Sequence, residues 1–101
     1  MKSLKAAVTL VALFPAIALA EIVVGVTLST TGPAASLGVP ERNAISLLGP
    51  TLGGEPVRYV VLDDASDPTS AAKNTQRLIT EDKADVIIGS TTFLVLARLP
   101  A

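Results

Sequence analysis

The chain has 101 residues, with eight Lys/Arg against nine Asp/Glu and neither Cys nor His. That length holds one domain at most, and the residue types exclude a thiol nucleophile, an imidazole base, an ordinary zinc site and a disulfide framework. The near-neutral charge, with no basic cluster, gives no electrostatic case for nucleic acid or anionic lipid as a partner.

Residues 1–20 read as a signal peptide. Lys2 and Lys5 supply a positive start, 6–19 is apolar apart from Thr9 and Pro15, and Ala18-Leu19-Ala20 is an A-x-A cleavage signal. A membrane span needs about 20 apolar residues, and this run is shorter and carries a proline. The expectation is export, with a mature domain over 21–101 that begins at Glu21. Two of the eight basic residues lie in the leader, so six remain against nine acids.

The sequence I-V-V-G-V-T-L over 22–28 predicts a buried strand. The loop 29–38 is rich in Ser, Thr, Gly and Pro, as suits a connection. Pro40-Glu41 predicts a helix start, Ala44, Ile45, Leu47 and Leu48 its apolar face, and Gly49-Pro50 its end. Residues 51–56 read as a turn around Gly53-Gly54.

The stretch 57–69, V-R-Y-V-V-L-D-D-A-S-D-P-T, organises the rest. Its apolar run 57–62 is too continuous for a half-exposed strand, so a sheet covered on both faces is predicted. The strand stops at Asp63-Asp64, and Asp67-Pro68 opens a helix, Asp67 as N-cap acceptor and Pro68 at N1. Ala71, Ala72, Thr75, Leu78 and Ile79 follow at near-helical spacing, with Lys73, Arg77 and Glu81 outside. D-V-I-I-G over 85–89 is a third strand. The order β-α-β-α-β predicts an α/β fold with a parallel sheet, right-handed crossovers and strand order 2-1-3, leaving 57–62 and 85–89 as edges.

Ser90-Thr91-Thr92 follows the third strand as Ser29-Thr30-Thr31 follows the first. Hydroxyl-rich loops at the carboxyl edge of adjacent parallel strands are where open α/β sheets bind ligands. Hydroxyl residues also cap helices and fill turns, and spacing alone does not choose between the two. Asp63, Asp64 and Asp67 form the only acidic cluster. It lacks calcium-loop spacing while its capping signature is complete, which favours a structural role. Gly25 has no G-x-G-x-x-G around it, and Gly53-Gly54 is not followed by Lys-Ser/Thr. Ser29, Ser36 and Ser90 have no histidine to activate them. No residue set argues for catalysis, and no cofactor or metal is called for.

The run I-V-V-G-V-T-L-S-T-T-G-P-A-A-S-L-G-V-P-E-R-N-A, then V-V-L-D-D-A-S-D-P, then D-V-I-I-G-S-T-T resembles the start of the leucine/isoleucine/valine-binding proteins. These are the solute-binding subunits of branched-chain amino-acid ABC transporters. The resemblance spans 21–92. Its T-G-P-x-A and D-D-x-x-D-P elements are fairly specific together and weak singly. It implies the βαβαβ start of the N-terminal lobe of a type I periplasmic-binding-protein fold. It implies a periplasmic protein that clamps an amino acid or related small acid or amide between two lobes and delivers it to an ABC permease in the membrane. By the same resemblance, Ser90, Thr91 and Thr92 meet the amino acid's carboxylate and ammonium, and Leu37 stands at a wall position. The sequence departs from the family at Phe93 and the apolar run after it, and in the short segment 46–54. The expectation is therefore an incomplete N-terminal fragment of a non-enzymatic solute-binding module. The alternatives are a small α/β enzyme or signalling domain with an acidic pocket at Asp63/Asp64, or a non-functional remnant.

Overall fold

The computed structural model describes residues 20–92, so residues 1–19 of the leader and the run from Phe93 lie outside the described residues. Six elements follow in order: β1 (Ile22–Leu28), α1 (Ala35–Ser46), β2 (Thr51–Leu52), β3 (Glu55–Asp63), α2 (Pro68–Thr80) and β4 (Val86–Ile88).

β1 is the axis of the sheet. It pairs in parallel with β3 from Ile22↔Val57 to Leu28↔Asp63, and on its other side with β4 from Val24↔Val86 to Val26↔Ile88. Alternation along a strand sends successive side chains to opposite faces. Val24, Val26 and Leu28 therefore share one face, where Ile22, Val57, Tyr59 and Val61 pack on them. Val23, Gly25 and Thr27 take the other, beneath α2, whose Ala71, Thr75 and Leu78 are buried. Burial on both faces explains the unbroken apolar reading of β1. The Asp85 side chain and backbone both pair with Val23, at 2.8 Å each, and fix the start of β4.

The whole sheet runs β2-β3-β1-β4. The parallel strands thus have the predicted order, but 51–56 is more than a turn. β2 pairs antiparallel with the start of β3, Leu52 opposite Glu55, and Gly53-Gly54 forms a two-residue connection with φ of 59° and 85°. Two consecutive positive φ values suit the tight hairpin turn that glycine pairs favour. The β3 edge is consequently covered at its first residues.

α1 also departs from expectation. It starts at Ala35, five residues before Pro40, which lies inside it. The chain is already wound by Ala35 N–H to the Gly32 carbonyl at 3.0 Å, and by Leu37 and Gly38 N–H to the Ala34 carbonyl at 2.9 and 3.1 Å. Gly38 then lies so close to the loop after β1 that a Cβ there would collide with the Ser29 carbonyl. The expected apolar face is not a packed one. Ile45 is half-buried, Ala44 is exposed, and Leu47 and Leu48 follow the helix and are 85% and 51% exposed.

Candidate functional site

Three loops meet at the carboxyl edge of the parallel strands: 29–34 after β1, 64–67 after β3 and 89–92 after β4. The chain leaves β1 for β3 on one side and later returns to its other side as β4, so the edge of β1 is a topological switch point.

Asp64 joins the three loops. It has no exposed surface. Its Oδ1 accepts from Ser29 Oγ at 2.6 Å and from Ser66 N–H at 2.9 Å, and its Oδ2 accepts from Ser90 Oγ at 2.6 Å. Its own N–H donates to the Leu28 carbonyl at 2.9 Å. A buried carboxylate is tolerated when its oxygens are satisfied in this way.

Asp63, at the end of β3, is solvent-exposed and holds the first loop. Oδ1 accepts from the N–H groups of Thr30, Thr31 and Ala65 at 2.9, 3.2 and 2.8 Å, and Oδ2 from the Thr31 hydroxyl at 2.6 Å. Desolvation by the surrounding loop pushes its pKa up. The Thr31 hydroxyl and the Ala65 and Thr30 N–H groups outweigh that and hold it at about 2.

Between the acids, Ala65 and Ser66 have φ of 53° and 60°, and Asp67 N–H donates to the Asp64 carbonyl at 2.9 Å. Left-handed backbone costs a non-glycine residue about 1–2 kcal/mol, and the two carboxylates offset that by accepting the N–H groups the turn presents. Ser66 Oγ ties the turn to the first loop, accepting from Ala34 N–H at 3.0 Å and donating to the Thr31 carbonyl at 2.7 Å. Asp67 caps α2 through Ser70 N–H at 2.8 Å, with Pro68 as the first helical residue. Asn74, one turn on, donates to the Asp63 carbonyl at 2.9 Å and to Thr27 Oγ1 at 3.2 Å.

The predicted site residues separate into two groups. Ser90 and Thr91 are half-buried and knit to the first loop, Ser90 through Asp64 and Thr91 because its Oγ1 accepts the Ser29 N–H at 2.9 Å. Gly89 brings them there. Its φ is 126°, and a Cβ would collide with the Thr27 carbonyl. Thr92 is exposed beside them. Leu37, in the first turn of α1, is 55% exposed and takes no part in this polar web. The acidic doublet does not form an open pocket, because its oxygens face the protein's own donors. Among the described residues no cluster of acids has the arrangement of a metal site. Sequence reasoning missed Ser29, Ser66 and Asn74 as partners of the acids. The hydroxyl runs after β1 and β4 were the available signal for two of the three loops.

A family model described as periplasmic binding protein matches residues 21–99. Comparison with curated proteins gives no match. Among solved structures, the chain is similar to an extracellular ligand-binding receptor from Rhodopseudomonas palustris HaA2, at 56% identity and a TM-score of 0.69, covering 71% of this chain and 20% of that one. It is similar to the leucine-binding protein LivK from Thermotoga maritima MSB8 at 34% identity and a TM-score of 0.63, covering 67% and 20%. It is also similar to an ABC transporter solute-binding protein from R. palustris, solved with benzoate, at 35% identity and a TM-score of 0.61, covering 70% and 21%. The chain thus spans about a fifth of the length of the solved structures it matches.

Proposed function

The chain belongs to the periplasmic binding protein family, and from that premise we propose that it contributes one wall of the ligand site of an exported solute-binding subunit serving an ABC permease. The observation that carries this reading is the three-loop web at the switch point of the sheet. It holds Ser90 and Thr91 at the carboxyl edge, where hydroxyl and N–H groups meet a ligand carboxylate. Thr92 continues that loop, and Leu37 supplies an apolar contact from the side of α1. The ligand is a small carboxylate, an amino acid of the branched-chain type in first place. Leucine, named for one similar protein, and benzoate, bound in another, share that group. Residues 1–20 act as the signal peptide and 21–101 as the solute-binding portion, which places the protein in the periplasm. The reading requires no catalysis and no cofactor.

The test is an NMR titration of the whole chain with leucine, isoleucine, valine and benzoate. Weak shifts confined to 29–37 and 89–92 are expected, because one wall alone leaves the ligand open to water. Shifts scattered over α2 and β2, or no shifts with any of the four, would count against the site. Sequencing the N-terminus of exported material tests the leader, and a start other than Glu21 would refute the cleavage position.

A further inference from the structure

Ser90 and Thr91 carry the same functional group, yet their surroundings give the two hydroxyls opposite character. A hydroxyl offers one proton and two sets of lone pairs. Ser90 Oγ donates its proton to Asp64 Oδ2 at 2.6 Å. The other carboxylate oxygen accepts from the Ser29 hydroxyl, also at 2.6 Å. Both carboxylate oxygens thus serve as acceptors, Oδ1 from Ser29 and Ser66 and Oδ2 from Ser90. Ser90 Oγ, half-buried, therefore keeps lone pairs but no free proton. Thr91 Oγ1 differs in keeping its proton free. It accepts the Ser29 N–H at 2.9 Å, and an N–H cannot take a proton in return. Its own proton has no acceptor among the described residues.

We propose that Asp64 is a specificity-determining positioning residue. By holding the Ser90 proton it makes Ser90 Oγ an acceptor for a ligand N–H, while Ser29 leaves Thr91 Oγ1 as a donor to a ligand carboxylate. This rests on the reading of 90–92 as the ligand loop. An acceptor and a donor on consecutive residues suit a ligand with an ammonium beside its carboxylate, and suit a plain carboxylic acid less well.

Asp64→Asn separates this role from mere support. The Ser66 N–H can only donate, so the amide oxygen must face it and the amide NH2 must face Ser90. Ser90 Oγ then accepts from the amide and its own proton turns outward. The loop keeps its bonds, but the Ser90 hydroxyl changes from one that only accepts toward the ligand to one that presents a proton there.

The experiment is an NMR titration of the labelled full chain with leucine and with benzoate, in wild type, Asp64→Asn, Ser90→Ala and Thr91→Val. Asp64→Asn and Ser90→Ala should weaken leucine about tenfold relative to benzoate, the loss expected for one hydrogen bond to a charged group. Thr91→Val should weaken both ligands. In ligand-free wild type, the Ser90 hydroxyl proton should be visible and coupled to the Asp64 carboxyl carbon. Retained α2 resonances show that a variant is folded, and Ser90→Ala carries the test if Asp64→Asn is not. Equal losses for the two ligands, or a Ser90 hydroxyl without that coupling, would overturn the specificity role and leave the proposed function standing. Failure of wild type to bind either ligand would overturn both.

Discussion

Asp64 has no exposed surface and meets donors from three loops, whereas Asp63 beside it stands in solvent and meets donors from two. The sequence places both at a strand end and gives only Asp67 a defined partner, because Ser70 is three residues away while Ser29 and Ser90 lie 35 and 26 residues from Asp64. Capping is local chemistry and can be read from a pattern; a long-range hydrogen bond cannot. Asp67→Ala is expected to lose roughly 0.5–2 kcal/mol, the usual worth of an N-cap. Asp64→Ala, which from sequence alone had no reason to cost anything, is expected to lose more. It strands the buried Ser29 hydroxyl together with Ser66 N–H and the Ser90 hydroxyl, at about 1–3 kcal/mol for each buried donor left unpaired. Urea melts of both variants check the ranking, and an Asp64→Ala loss no greater than that of Asp67→Ala would contradict it. Asp63 sets the acid limb. Its folded pKa of about 2 lies below the ordinary ~3.9 of an unfolded aspartate. Its contribution is therefore complete above about pH 4 and is lost as pH falls through about 2. Exposure keeps the size of that contribution small. Melts at pH 5, 3 and 2 should show wild type losing stability over that window and Asp63→Asn losing less; parallel pH profiles would argue against the assignment.

The two helices differ in how far they can be read from sequence, and the difference has a physical cause. α2 carries its boundaries within itself: an acceptor at Asp67, Pro68 at N1, and the buried stripe of Ala71, Thr75 and Leu78. α1 has no side-chain cap, and its start depends on Gly38 settling against the Ser29 carbonyl across a loop. Read locally, Gly38 is a loop residue and Pro40 a start signal. In the structure Gly38 is a close-approach position inside the helix and Pro40 an interior residue whose missing N–H is tolerated on an exposed surface. The β2–β3 hairpin was within reach, since a Gly-Gly pair between short extended runs is a hairpin signal; two residues of strand were too few to stand out. Gly38→Ala should destabilise the chain by about 1–3 kcal/mol, as an overpacked contact does, because a backbone carbonyl cannot rotate aside as a side chain can. Gly49→Ala is the control, with nothing within 4 Å of the added methyl. Thermal melts of the pair should differ in that sense, and equal midpoints would mean that α1 rides freely on the loop.

At the scale of the whole molecule, the parallel order β3-β1-β4 follows from two crossovers leaving opposite sides of β1; the apolar run 22–28 was enough to mark a buried strand, but the covering on both faces expected of 57–62 is found at β1 instead. The outer strands are read less well, because a continuous apolar run predicts burial while the described residues leave β3 half-buried and β4 more open. Val86 and Ile88 are 45% and 42% exposed. β4 pairs with β1 alone among the described residues, and among those residues its other edge has no partner strand beside two exposed branched side chains. That combination templates pairing with another chain, and charged side chains on the edge are the usual defence against it; β4 has none between Asp85 and Gly89. The 101-residue chain freed of residues 1–20 is accordingly expected to self-associate as its concentration rises. Val86→Lys combined with Ile88→Lys should return it toward a monomer. Leu47→Lys, which removes an 85% exposed apolar side chain outside the sheet, should leave association in place. Sedimentation velocity over a range of concentrations decides the matter. A wild-type chain that stays monomeric throughout would show that the β4 edge is not available for pairing. Equal rescue by Leu47→Lys would assign the association to apolar surface in general rather than to the open strand.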